Sequence, residues 1–296
     1  MSIANKPKFK HGLNLIDSRI SYLNGQFLPH EKCLVHIEDR GFQFADGVYE
    51  VTPFKNNKLI DGDAHIERLF RSLREINIDH NFSKKDLIEM QFELFRQNKM
   101  TEGNCYLQIT RGATNRIQTC PKGLTPTICA TVTLGKKLSE DEFSKGIKVM
   151  THEDIRWQRC DIKSLALLAS TLINQKAKDS GFDDAIFVRD EIVTEATFAN
   201  VFIIDEQDNI ITKTADNFIL QGITRNRFIK IALEKGFKVI EKNFSAEEMI
   251  QAKEVFLTSS GLILRPVTKI NNQIIGDGKV GKITKFLNEE YKKFIA

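Results

Sequence analysis

The run Arg159-Cys-Asp-Ile-Lys163-Ser-Leu-Ala-Leu-Leu sets a lysine directly before an apolar stretch of helical character. Burial disfavours an ammonium, and the neutral amine it leaves is a nucleophile suited to Schiff-base chemistry. The competing reading of Lys163 is a side chain that snorkels out of a helix start. A cation at that end of a helix opposes the dipole, which favours a functional reason. Glu195 follows the Arg189-Asp190-Glu191 turn and a short Ile-Val-Thr strand, and runs into Ala-Thr-Phe-Ala-Asn200-Val-Phe. A carboxylate flanked by such strands needs a cationic or N–H partner, and a protonated pyridine nitrogen would serve. A strand-end glutamate in solvent is the plainer alternative.

Two further segments suit an anion. Leu220-Gln-Gly222-Ile223-Thr224-Arg225 opens a helix, where glycine lets a ligand approach the backbone and free N–H groups bind phosphate. Val255-Phe-Leu-Thr258-Ser259-Ser260-Gly261 is a strand emptying into small hydroxyl residues. Ordinary helix caps and turns look the same. His65 and Arg68 are three apart and neighbours on a helix face. Arg68 could offer a phosphate a fixed charge, or could pair with Glu67 or Glu75 at the surface. In Gly47-Val-Tyr-Glu-Val51, alternation aims Tyr49 and Val51 at one face and Glu50 at the other. Tyr49 is then either a core residue or part of a site. No histidine, cysteine and carboxylate cluster has metal spacing, and no Walker loop, G-x-S-x-G or G-x-G-x-x-G is present.

The elements that must position these residues follow from periodicity. Asn24-Gly25 marks a hairpin over Ser21–Phe27. Strands are expected at Phe44–Phe54, Lys58–Ile60, Cys105–Arg111 and Thr127–Leu134. Asp63–Ile78 reads as a helix, and Ser83-Lys-Lys-Asp86 as a capping box before a second. After the charged, turn-rich Gly135–Gly146, strands and helices alternate. Ser164–Lys178 is expected to be a helix with Leu165, Leu168, Leu172 and Ile173 on one face. Thr224–Lys235 and Gly281–Phe294 are helices, and Ser245–Glu248 caps a short one. Ile147–His152, Ala185–Val188, Val201–Ile204 and Val255–Ser259 are strands. The fold class is α/β (α+β), with a small domain over 19–135, a linker over 136–146 and a large domain over 147–296. A cleft between two such domains is where small-molecule sites tend to lie.

Composition sets the frame. The chain has 296 residues, 41% hydrophobic and 28% charged, which suits an ordinary globular protein and not a disordered chain. No apolar run approaches the ~20 residues of a membrane span. The net charge is +4, and Lys6, Lys8, Lys10 and Asp17 account for half of it. The remaining body is near neutral, without the basic face of a nucleic-acid binder. Residues 1–18 read as a loosely held extension, with no apolar stretch of a secretory signal behind them. Five cysteines with no C-x-x-C read as free buried thiols in a reducing cytoplasm.

Taken together and in this order, the motifs are specific. From about Ile20 to its end the chain resembles the fold-type IV pyridoxal-phosphate enzymes, most of all the bacterial D-amino-acid aminotransferases. The resemblance rests on six stretches. They are Glu38–Val51, His65-Ile-Glu-Arg-Leu69, Asp154–Leu165, Val193-Thr-Glu195 with Asn200-Val-Phe, Gly222-Ile-Thr-Arg225 and Asp277-Gly-Lys-Val-Gly281. It implies pyridoxal 5′-phosphate as cofactor, with Lys163 bonding it and shuttling the proton. Glu195 would pair with its ring nitrogen. Arg68, the backbone at Ile223 and Thr224, Ser259 and Ser260 would hold its phosphate, and Leu220 would brace the ring. Tyr49 would line the substrate pocket near the α-carboxylate. Cys160 matches a cysteine of the family's lysine segment and reads as packing.

Arg116 matches the family's carboxylate-binding arginine, which reaches into a neighbouring subunit, so a homodimer is implied. Such a clamp would leave one enantiomer with its Cα–H aimed at Lys163. The family pattern places a histidine two residues later, where this chain has Gln118. Glutamine donates an N–H without charge, and losing a charge-assisted contact costs ~1–2 kcal/mol. The reaction implied is ping-pong transfer between D-amino acids, such as D-alanine and D-glutamate, and 2-oxo acids. Other fold-type IV activities compete with it: a branched-chain L-aminotransferase, an (R)-amine transaminase or an aminodeoxychorismate lyase. So does a pyridoxal-phosphate-binding protein without turnover.

Overall fold

Asn24 and Gly25 take φ of 48° and 91°, as a type I′ turn requires. They join strand β1 (Ile20–Leu23) to β2 (Gln26–Pro29) in the expected hairpin. The computed structural model describes residues 18–136 and 138–296. The extension expected over 1–18 therefore lies, up to residue 17, outside the described residues.

Asp39 accepts a hydrogen bond from Gly41 N–H and caps a short helix, α1 (Arg40–Phe44). The strand expected from Phe44 consequently starts later, as β3 (Gly47–Lys55). There follow β4 (Lys58–Leu59), α2 (Gly62–Glu75) and α3 (Lys84–Gln97), the last opened by the Ser83–Asp86 capping box. With β5 (Glu102–Thr110) and β6 (Thr127–Thr133) the strands form an antiparallel six-stranded sheet in the order β2-β1-β6-β5-β3-β4. Ile66, Leu69 and Leu73 of α2 meet Leu94 and Phe95 of α3 over Val48, Leu107 and Ile109 of the sheet. The segment expected as a linker is not featureless. It carries α4 (Glu140–Lys145), capped by Ser139 and anchored by buried Phe143.

The rest of the chain builds a second sheet. Its elements are β7 (Ile147–Glu153), α5 (Leu168–Asp179), β8 (Asp184–Arg189), β9 (Ile192–Ala196), β10 (Asn200–Ile204), β11 (Ile210–Thr212), α6 (Ile223–Glu234), β12 (Val239–Glu241), α7 (Ala246–Ile250), β13 (Glu254–Ser259), β14 (Ile263–Ile270), β15 (Gln273–Ile274) and α8 (Lys282–Phe294). Nine strands run in the order β12-β11-β10-β13-β14-β7-β8-β9, with β15 beside β14. Every residue of β10 is buried, because both faces are covered. Val201 and Ile203 enter one core, and Phe202 and Ile204 enter another beneath α6 and α8.

Two expectations about the lysine segment change. Helix α5 begins at Leu168 instead of Ser164. Ser164 and Leu165 spend their backbone on β3: Ser164 forms a bridge with Val48, and Leu165 N–H donates to Gly47 O at 3.0 Å. Groups bonded to a strand are not free to open a helix. Lys163 is thus a loop residue with its own carbonyl accepting from Tyr49 N–H at 3.0 Å, and the helix-dipole argument does not apply. The apolar face also differs. Ser170, Ile173 and Ala177 are the buried row of α5, while Leu168 and Leu172 are 71% and 56% exposed. The cysteines are all free, but only Cys105 and Cys160 are buried, and Cys120 is exposed. Among the described residues no helix is long and apolar enough to cross a membrane.

Gly47 is one point at which the two halves meet closely. A Cβ there would lie 2.6 Å from Ile109 O and 2.8 Å from Leu165 Cδ1. Gly47→Ala is expected to destabilise the protein by about 1–3 kcal/mol, since the carbonyl it strikes belongs to a paired strand. Denaturant unfolding checks this; a midpoint within error of the unsubstituted protein would show that the seam can yield.

Candidate active site

Strand β3 divides its side chains between two environments, as its alternation demands. Glu50 points toward α2 and is fully buried. Arg68 Nε donates to Glu50 Oε1 at 2.7 Å and Arg68 Nη2 to Oε2 at 2.8 Å. His65 Nδ1 lies 2.8 Å from Oε2, and since a carboxylate only accepts, this nitrogen carries the hydrogen. The surface partners considered for Arg68 are not its own: Glu67 pairs with Lys84 and Glu75 with Arg159. Burial by itself raises the Glu50 carboxyl, but Arg68 and then His65 outweigh it and hold it at about 2. Burial also lowers the neighbouring His65. Arg68 has Nη1 left to donate to Gln221 O, at 2.9 Å, in the loop before α6. The guanidinium is thereby locked between the two sheets.

Tyr49 and Val51 face the other way, into a cavity of about 380 Å³. The Tyr49 ring stacks on Tyr106 at 5.6 Å between centroids, and Lys163 Nζ sits 4.2 Å above its centre. The loop carrying Lys163 is held from below by Arg71, whose Nη1 and Nη2 donate to Asp161 O and Oδ2 at 2.8 and 2.5 Å. Beside it, Cys160 is buried with Sγ 3.2 Å from Trp157 O, and burial pushes its thiol up to about 12. That environment makes Cys160 a packing residue, as expected from the sequence.

Glu195, at the end of β9, lies on the cavity floor and is 7% exposed, so the solvent reading fails. Its Oε1 accepts from Arg156 Nη1. Its Oε2 accepts from Leu220 N–H at 3.2 Å and Asn200 Nδ2 at 3.3 Å. Burial raises the carboxyl, with Arg156 acting against it. Sequence reasoning does not single out Arg156 and Asn200 as site residues. The signal for Arg156 is present in Asp154-Ile-Arg156, an acid and a base two apart. Its significance needs the fold, which brings β9 alongside.

The far end of the cavity gathers groups that could hold an anion. Helix α6 starts at Ile223 with Gly222 as its N-cap, and no side chain bonds its first N–H groups. Gly222 leaves room for Asn200: a Cβ there would lie 2.1 Å from Asn200 Oδ1 and would force that side chain to shift. Thr224 Oγ1 is 3.4 Å from Ser260 Oγ. Thr258 Oγ1 is buried and finds no hydrogen-bond partner among the described residues. Of the residues expected in a site, Tyr49, Arg68, Lys163, Glu195, Leu220, Ile223, Thr224, Ser259 and Ser260 all line this one cavity. Arg116 and Gln118 do not. Both are exposed in the loop after β5, where the Arg116 guanidinium rests 4.9 Å from the centre of the Phe44 ring.

The family described as amino-transferase class IV matches residues 47–270. D-alanine aminotransferase of Bacillus licheniformis is 42% identical over 262 residues, which are 88% of this chain and 92% of that protein. The enzyme of that name from Staphylococcus epidermidis is 37% identical over 275 residues, 93% of this chain and 97% of its own. Among solved structures, the branched-chain amino acid aminotransferase of Escherichia coli superposes with a TM-score of 0.88 at 21% identity, covering 94% of this chain and 95% of its own. A second branched-chain amino acid aminotransferase, solved with pyridoxamine 5′-phosphate, gives 0.89 at 22% identity and covers 95% of each chain.

The Glu50 cluster makes stability acid-sensitive in a defined window. Its folded value, about 2, lies below the ordinary 4.5, so the unfolded chain binds more protons between them. The contribution is whole above the upper value and is lost as pH falls toward the lower one. Glu50→Gln leaves Arg68 buried without its counter-charge and is expected to cost about 3–5 kcal/mol at neutral pH. It should also flatten the fall of stability across that window. Denaturant midpoints measured as a function of pH test both; an unchanged acid limb would assign the sensitivity elsewhere.

Proposed function

Because this chain belongs to the amino-transferase class IV family, we propose that it moves amino groups between D-amino acids and 2-oxo acids on pyridoxal 5′-phosphate. D-Alanine and D-glutamate are the donors, 2-oxoglutarate and pyruvate the acceptors, and the order is ping-pong. The observation that carries this reading is the convergence of Lys163, Glu195 and the open start of α6 on one cavity. The D-alanine aminotransferases supply the handedness, being similar over most of both chains. The branched-chain enzymes, at 21% and 22% identity, bear on the fold. The two sheets then correspond to a small domain over 19–135 and a large one over 147–296, joined by 136–146.

The residues fit the cofactor. Thr258 Oγ1 is a buried donor without a partner among the described residues, and the uncapped N–H groups of α6 suit a phosphate. On this reading Arg68, the backbone of Ile223 and Thr224, Ser259 and Ser260 hold the phosphate, Leu220 braces the ring and Glu195 faces its nitrogen. When bound, the cofactor supplies an electron sink that acidifies the Cα–H of the amino acid joined to it. Glu195 keeps a proton on the ring nitrogen by Coulomb attraction in a dry site. Lys163 Nζ, held over the Tyr49 face, takes the α-proton as base and returns it as acid. Tyr49 closes the side of the substrate pocket.

A second copy completes the site. Arg40 Nη1 donates to Ile117 O at 2.7 Å and Asp39 bridges Ala113, so the segment before β3 and the Arg116 loop form one corner. Leu34, Ile37 and Phe42 of that segment are 79%, 72% and 76% exposed. An apolar surface of this kind next to an exposed arginine suits a homodimer in which Arg116 clamps a substrate carboxylate in the neighbour's cavity, with Gln118 beside it.

Two experiments test this. With cofactor bound, D-alanine is expected to bleach the visible band while L-alanine leaves it, and Lys163→Ala should abolish the response. Bleaching by an L-amino acid alone would turn the reading toward the branched-chain activity. Mixing inactive Lys163→Ala and Arg116→Ala chains should recover about a quarter of the wild-type activity, from dimers that own one intact composite site. No recovery in verified mixed dimers would place Arg116 in its own chain's site.

A further inference from the structure

Behind Glu195 the floor of the cavity holds two buried charges, Arg156 and Asp154, that the reaction as derived does not use. Arg156 is 9% exposed at its side chain and has a carboxylate on either side. One is Glu195, which accepts from Nη1. The other is Asp154, whose Oδ1 accepts from Nε at 2.9 Å and Oδ2 from Nη2 at 2.8 Å. Asp154 is gripped in turn. Thr194 Oγ1 donates to its Oδ2 at 2.8 Å, and Arg189 Nη2 lies 3.4 Å from its Oδ1. The Arg156 guanidinium also stacks 4.6 Å from the centre of the Phe187 ring, so it has no freedom to swing away.

Fork-to-fork pairing satisfies Asp154 fully, whereas Glu195 receives a single guanidinium nitrogen. The arrangement is lopsided by construction. A carboxylate sunk this deep is neutralised unless a cation stands beside it. A cation bound to it alone would compete with any proton the carboxylate should hold elsewhere. We propose that Arg156 is a positioning residue that keeps Glu195 ionised, and that Asp154 limits its grip so that Glu195 Oε2 can serve the cofactor's ring nitrogen. This inference rests on the proposed placement of Glu195 opposite that nitrogen.

The charged and titratable groups around Glu195 are few: Arg156 and Asp154 from the segment after β7, Arg189 from the end of β8, and Cys160 and Lys163 from the lysine loop. Burial raises Glu195 and Arg156 lowers it again, which agrees in sign with the geometry. Removing Arg156 should therefore let Glu195 take up a proton at higher pH. Removing the charge of Asp154 should do the reverse, because Arg156 would then belong to Glu195 alone.

The test follows the protonation of the bound cofactor's ring nitrogen by its chemical shift, using isotope-labelled pyridoxal phosphate in the holoenzyme across the pH range where the protein is folded. In Arg156→Gln the midpoint at which Glu195 loses its charge is expected to rise by about one pH unit or more, with partial return in Arg156→Lys. In Asp154→Asn it should fall. Opposite responses are not what loss of packing produces. A midpoint unmoved in Arg156→Gln, or one that does not fall in Asp154→Asn, overturns the inference. Should Arg156→Gln not fold, Arg156→Lys against Asp154→Asn makes the same comparison. Glu195→Gln separates the two claims: if the nitrogen signal of that variant matches wild type at every pH, it is the placement of Glu195 that fails.

Discussion

Two backbone hydrogen bonds, Tyr49 N–H to Lys163 O and Leu165 N–H to Gly47 O, both 3.0 Å, fix the position of Lys163 against Tyr49, on which the rest of the site depends. They sew a loop of the second half of the chain onto a strand of the first, at the one place where an amine must meet an aromatic face. Neither half could hold Lys163 over Tyr49 by itself, since the lysine hangs from the large sheet and the tyrosine from the small one. The surrounding ties serve the same seam: Lys163 N–H reaches Ser72 Oγ at 3.4 Å, and Arg71 clamps Asp161 from α2. The seam has local consequences. It requires glycine at position 47, and it delays the start of helix α5 to Leu168.

The polar interior is organised around the same axis. On one side of β3 the Glu50, His65 and Arg68 cluster immobilises a guanidinium whose third edge reaches across to Gln221 O. On the cavity floor the Asp154, Arg156 and Glu195 array immobilises a carboxylate. Each cluster pairs its charges internally, which is the condition for burying them at all. Each also holds its working group by charge on one edge and by neutral partners on the other: Arg68 through Nε and Nη2 to Glu50 and through Nη1 to Gln221 O, and Glu195 through Oε1 to Arg156 and through Oε2 to Leu220 N–H and Asn200 Nδ2. Burial and orientation are achieved together, because the bonds that cancel the charge also fix the rotamer.

Much of this is legible in the residues, and the failures have physical causes. Asn24-Gly25, the Ser83–Asp86 box and the apolar row of α2 are local signals, and the local structure follows them. The start of α5 escapes sequence reasoning because Ser164 and Leu165 look helical until β3, distant in sequence, claims their backbone. Strand β14 escapes it because Pro266 interrupts the pattern. In the fold Pro266 pairs with Phe256, while β7 joins β14 only from Val267 onward, so no ladder bond is missing where the proline lacks its N–H. The cavity residues are recognisable by type and order. Arg156 and the true partner of Arg68 are not, since buried ion pairs join elements that periodicity treats separately.

The placement of Arg116 carries the argument past a single chain. On the reading proposed, the cavity of one chain offers a base in Lys163, a carboxylate for a ring nitrogen in Glu195 and an anion cradle, while Arg116 lies outside its walls. Handedness of a substrate is decided by three points of attachment, and a site that lacks one of them cannot choose between mirror images. On the reading proposed, the third point comes from a neighbouring copy. Stereochemistry is then a property of the assembly, while bond-making belongs to the fold. Gln118 follows the same logic. On that reading it would offer a neutral donor where a cation would hold the carboxylate harder, changing how firmly the third point is held and not the placement of Lys163 and Glu195.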